Sequence, residues 1–161
     1  MMLKAGKIAP DFSAAGINGE EFSLRDSLAR GPLLLIFFKV SCPTSQFTVP
    51  FAERLYQQIL PHGGQIIGIS QDPVSESRQF ADKFGLTFPI LLDEKPYKLS
   101  KEYGLKFVPA LFLVGEDQSI VSSFDGFSKP DMEAAGRFFA KHFSTTLPPM
   151  FPERVPQYKP G

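Results

Sequence analysis

The chain has 161 residues, and its 17 basic side chains are matched by 17 acidic ones, so the formal charge is zero. That length suits one domain with a full core, and the balanced, scattered charge excludes electrostatic capture of nucleic acid or an anionic membrane as its main task. A single cysteine excludes an internal disulfide framework and, with two histidines beside it, supplies no ligand set for zinc.

In chain order, residues 1–7 lack the apolar segment of a secretory signal, and no later stretch is long enough to span a bilayer. A cytoplasmic location is therefore expected. Short extended pieces lie near residues 11–12 and 21–24, with Asn18-Gly19 as a hairpin turn between them. Residues 33–38 are all apolar, the pattern of a central strand covered on both faces. Residues 43–60 place Phe47, Phe51, Leu55 and Ile59 at helical spacing, with Gln57 and Gln58 turned outward. Pro50 inside that stretch predicts a kink, the alternative being two helices with Pro50 opening the second.

After a turn at residues 61–64, residues 65–70 form a second buried strand. Asp72 followed by Pro73 reads as a helix start, a capping carboxylate and then proline, with the helix running to Phe84 and stopping at Gly85. Residues 88–92 read as a strand and 96–103 as a short helix closed by Gly104. Residues 110–114 and 120–124 pair through a turn at Glu116-Asp117-Gln118, adding antiparallel edge strands. Ser128 caps a last helix through His142, with Met132, Ala135, Phe138, Phe139 and Phe143 on its inner face. Strands alternating with helices give an α/β layered sheet. The prolines at 148, 149, 152, 156 and 160 mark an extended tail, lying on the surface or disordered. The expected organisation is one domain over residues 1–146 and a proline-rich tail over 147–161.

Cys42 falls between the end of the 33–38 strand and the helix that opens Pro43-Thr44-Ser45. Unpaired backbone N–H groups converge at such a helix start and favour thiolate over thiol, and the thiolate is the nucleophile. The competing reading is a small buried hydrophobe. Pro43 suits the first turn, where its missing N–H would be unpaired anyway. Lys39 either stabilises a thiolate or points to the opposite face. His62 reads as a surface residue, and His142 as the complement of a helix dipole.

The segment from Phe37 to Ser45, with Pro50 beyond it, resembles the active-site segment of the thioredoxin superfamily, where a strand delivers Cys-X-X-Cys to a helix N-terminus. Residues 103–113, around Val108-Pro109, resemble the family's cis-proline segment. Residues 6–12, 67–72 and 84–93 resemble the TlpA-like and alkyl hydroperoxide reductase–thiol-specific antioxidant (peroxiredoxin-like) branch. The resemblance runs over residues 6–143. It implies a thioredoxin-like fold, a central mixed sheet flanked by helices, with an N-terminal extension and a helix-strand insert at about residues 73–93. It also implies a cis bond at Val108-Pro109, with the backbone there open to an extended substrate strand.

The sequence departs from that pattern in several places. Ser45 stands where the second motif cysteine belongs, and a hydroxyl cannot close a disulfide. An engineered serine, a natural monothiol site, and a site that has lost redox work all stay open. Lys39 and Leu35 replace the small hydroxyl residue and the proline that peroxiredoxins place before the peroxide-attacking cysteine. Ile36 replaces the buried acid of thioredoxins, and Ser41 the tryptophan that often precedes the cysteine. Arg54 and Arg78 are available to hold a peroxide, with neither assignable to that task.

The resemblance thus implies a thiol–disulfide oxidoreductase with Cys42 as nucleophile, Ser45 at the resolving position, and Pro43, Thr44, Val108 and Pro109 lining the substrate site. A one-cysteine peroxidase and a redox-inactive peptide-binding module are the alternatives. Expected partners are a protein or small-molecule disulfide, or a peroxide, and an external thiol reductant. No cofactor, nucleic acid or membrane is implied, and the chain is expected as a monomer or homodimer.

Overall fold

The computed structural model describes residues 1–161. A hairpin of β1 (Ser13–Ala15) and β2 (Glu21–Ser23) leads into a short helix, α1 (Leu24–Leu28). Next come β3 (Leu33–Phe38), α2 (Pro43–Ile59), β4 (Gln65–Ser70), α3 (Val74–Phe84), β5 (Ile90–Leu92) and α4 (Lys98–Glu102). The chain continues through β6 (Ala110–Val114), β7 (Ile120–Asp125), β8 (Phe127–Ser128), α5 (Lys129–His142) and β9 (Tyr158–Lys159). The main sheet has five strands in the order β5-β4-β3-β6-β7. β3 runs parallel to β4, and β4 to β5, while β6 is antiparallel to both β3 and β7. This is the mixed sheet expected of the thioredoxin-like fold, and the helix-strand insert is α3 with β5.

β3 is central because every residue in it is apolar and buried. Its alternate side chains feed two cores, as strand geometry requires. Leu34, Ile36 and Phe38 face Val49, Ala52, Leu55 and Ile59 of α2, with α3 and α5 on the same side. Leu33, Leu35 and Phe37 face the other core, built on α1, α4 and the N-terminal segment. There Phe37, Tyr103 and Phe112 pack ring against ring at centroid distances of 5.0–5.7 Å. The Tyr103 hydroxyl donates to the Pro10 carbonyl at 2.7 Å. Burial raises its pKa well above the ordinary tyrosine range, and the Asp11 and Glu102 carboxylates push the same way.

Pro50 lies inside one continuous helix rather than opening a second. The buried face of α2 is rotated from the expected stripe. Ser45, Thr48, Val49, Ala52, Leu55 and Ile59 are buried, while Phe47 and Phe51 are half-buried on the flank. Asp72 does not cap α3: the helix starts after Pro73 with no side-chain cap. Its carboxylate instead accepts the Val40 N–H at 2.8 Å, a bond to a distant loop that local sequence does not announce. α1 was not expected, although Ser23 caps it by accepting from Asp26 N–H at 3.0 Å. α4 starts later than expected, beyond a second cis bond at Lys95-Pro96. No helix is long and apolar enough to cross a membrane.

Residues 147–161 return across the molecule rather than trailing away. Met150 is buried, and Leu147, Phe151 and Val155 pack against the α2/α5 core. Phe151 contacts the rings of Phe51 and Phe127 at 4.9 and 5.7 Å. Arg54 donates to the Met150 carbonyl at 2.7 Å and pairs with Glu153 at 2.5 Å. β9 then adds antiparallel to β8.

Candidate active site around Cys42

Cys42 is the N-cap of α2, with β-region backbone angles. The strand-to-helix junction makes this geometry. β3 ends at Phe38, Pro43 fixes the first helical residue, and the sulfur is left facing the unpaired N–H groups of the first turn. Ser45 N–H donates to Cys42 Sγ at 3.3 Å. The thiol in turn donates to the Val108 carbonyl, also at 3.3 Å. Cys42 as a residue is half-buried.

The structure brings together Cys42, Thr44, Ser45, Val108 and Pro109, far apart in sequence at Val108. The Val108-Pro109 bond is cis, as the resemblance implied. Pro109 is buried and its carbonyl accepts the Gly126 N–H at 2.8 Å, tying the loop to the end of β7. Pro43 is exposed at the helix start. Ser45 is fully buried, and its hydroxyl accepts the Lys39 N–H at 3.4 Å. Thr44 is buried and donates its hydroxyl to the Pro160 carbonyl at 2.6 Å.

Lys39 is exposed. Arg54 is engaged with residues 150 and 153, and Arg78 donates to the Ile17 carbonyl through Nε and Nη2 at 3.2 and 2.6 Å. Both guanidinium groups are thus engaged by other acceptors. His62 and His142 are exposed and lie against Phe143.

Sequence reasoning missed three parts of this site. Gln46 donates to the Val40 carbonyl at 2.9 Å while Asp72 holds the Val40 N–H, so both sides of the peptide chain just before Cys42 are gripped. Gln46 lies in the first turn of the helix already assigned, which is the one available signal. The third part is the tail. Pro160 reaches Thr44, and a Cβ built on Gly161 would overlap the Val108 carbonyl oxygen. Nothing local in a proline-rich segment states where it will dock.

The model of the AhpC/TSA family matches residues 5–123. Thiol-disulfide oxidoreductase ResA of Halalkalibacterium halodurans is 30% identical over 126 residues, covering 78% of this chain and 70% of that protein. The fold is shared with a solved structure described as a putative thiol:disulfide interchange protein DsbE from Chlorobium tepidum. Its TM-score is 0.77 at 21% identity, covering 89% of this chain and 99% of that one. It is shared too with peroxidoxin BcpB from Mycobacterium tuberculosis, at a TM-score of 0.73 and 20% identity, covering 88% and 98%.

Proposed function

The chain belongs to the AhpC/TSA family, and from that premise we propose that it is a thiol–disulfide oxidoreductase in which Cys42 is the nucleophile. The observation that carries this reading is the position of Cys42 Sγ. It receives a helix-start N–H from Ser45 and lies 3.3 Å from the carbonyl of Val108, beside the cis-proline. Similarity to ResA, itself a thiol-disulfide oxidoreductase, supports the same reaction class.

The Cys42 thiolate attacks one sulfur of a substrate disulfide. The Cys42–substrate S–S bond forms as the original S–S bond breaks, and the departing thiolate takes up a proton. Ser45 carries no sulfur to release the product. An external thiol therefore attacks the mixed disulfide, which restores the Cys42 thiol and leaves the substrate joined to that external thiol. Pro43, Thr44, Val108 and Pro109 form the walls against which the substrate is held, with the backbone at Val108 as a pairing edge for an extended segment.

Peroxidase chemistry has no such support in the geometry. Arg54 and Arg78 donate to other groups, and Lys39 and Leu35 occupy the positions of the peroxiredoxin hydroxyl and proline.

A quenched fluorescent peptide disulfide tests the proposal. With a small external thiol present, the wild-type chain is expected to accelerate its exchange, and Cys42→Ser to reduce the rate to the uncatalysed one. Equal rates for the two proteins would remove Cys42 from the reaction.

A further inference from the structure

The C-terminal segment divides into a root and a tip. The root, residues 147–155, is anchored by buried Met150, by Phe151 between two rings, and by the Arg54 contacts. The tip, residues 157–161, buries no side chain, and Tyr158 is 53% exposed. Main-chain pairing holds it instead. Lys129 N–H donates to the Gln157 carbonyl at 2.9 Å, and Tyr158–Lys159 pairs with Phe127–Ser128. The Lys159 ammonium lies over the Phe47 ring at 5.0 Å, and Pro160 accepts from Thr44.

This path ends on the reactive centre. Thr44 and Val108 flank Cys42, and Pro160 and Gly161 lie against them. The domain makes room for the approach: Gly126 has φ +72°, and a Cβ there would overlap the Lys159 carbonyl oxygen. An extended substrate segment running past Val108 needs the space that Pro160 and Gly161 fill.

We propose that residues 157–161 are an internal occupant of the strand-docking groove beside Cys42, a strap that a polypeptide carrying the substrate disulfide must displace. What is displaced rests on the oxidoreductase reading; the cover itself does not. The tip is suited to release because a two-residue ladder whose tail strand buries no side chain opens locally at far lower free energy than the core. The root keeps it close, so it returns at high effective concentration. On this proposal a small reagent reaches Cys42, a half-buried residue, past the tip, whereas a bulky one waits for it to open.

The test compares Cys42 alkylation by iodoacetamide and by a polyethylene-glycol maleimide. Gly161→Leu in the full chain forces the tip off Val108, and deletion of residues 157–161 removes it while leaving the root. In both variants the ratio of bulky to small reagent rates is expected to rise about tenfold, the reciprocal of a minor open population. Exchange with the peptide disulfide should rise in parallel. A ratio within about twofold of wild type in both variants overturns the strap. A raised ratio with no peptide exchange in any of the three proteins keeps the strap and removes the oxidoreductase reading.

Discussion

At the scale of single residues, the site depends on what surrounds one sulfur. Ser45 serves Cys42 through its backbone N–H, while its hydroxyl is turned to Lys39 and buried. Replacing that hydroxyl by a thiol puts a second sulfur three residues from the first, in the same helix turn. Ser45→Cys is therefore expected to close an internal disulfide under mild oxidant, read as loss of both titratable thiols, and to release bound substrate without an external thiol. Persistence of two free thiols would show that the pocket cannot align them. The place of Cys42 at a helix start was legible because strand, cysteine and helix follow each other directly. Asp72 was legible only as a helix cap before a proline, a role it does not play. Its partner, Val40, is brought to it by the adjacent strands β3 and β4, a tertiary event that outweighs the local capping preference.

At the scale of elements, α2 shows what periodicity can and cannot tell. The run of apolar side chains gives the helix, and Pro50 is accommodated within it. Phe47 and Phe51, expected on the core face, pack against that core only half-buried, because they also form the seat for Phe127 and the returning tail. A helical stripe looks the same whether a sheet or a distant segment covers it. The junction between α4 and the N-terminal segment carries a pH prediction. Tyr103, just beyond α4, is held neutral by burial and by the Asp11 and Glu102 carboxylates, and its hydroxyl donates to Pro10. An unfolded chain ionises that phenol near pH 10, about its ordinary value. The folded chain retains the proton at higher pH, so this contribution is complete below about pH 10 and is lost as pH rises above it. Tyr103→Phe should cost about 1 kcal/mol at neutral pH through the lost hydrogen bond. It should also flatten the alkaline fall in stability relative to wild type, as measured by urea unfolding across that range. An unchanged alkaline slope would mean that Tyr103 does not govern it.

At the scale of the whole molecule, the sheet order and its two cores place the thiol of residue 42 against a loop from residue 108. The sequence made that meeting legible through the shared order of short motifs, each weak alone. It did not make legible the closing of the tail over the same spot, because that contact is mostly backbone and two glycines, whose docking leaves no periodic trace. The account as a whole rests on Cys42 attacking a disulfide and lacking an internal partner to let go. Intact-mass spectrometry of the full chain mixed with a disulfide-linked peptide dimer tests this most directly. The expected result is a stable adduct of one peptide on Cys42, removed by an added thiol and absent in Cys42→Ser. A chain that keeps its unmodified mass while its thiol remains free would contradict it.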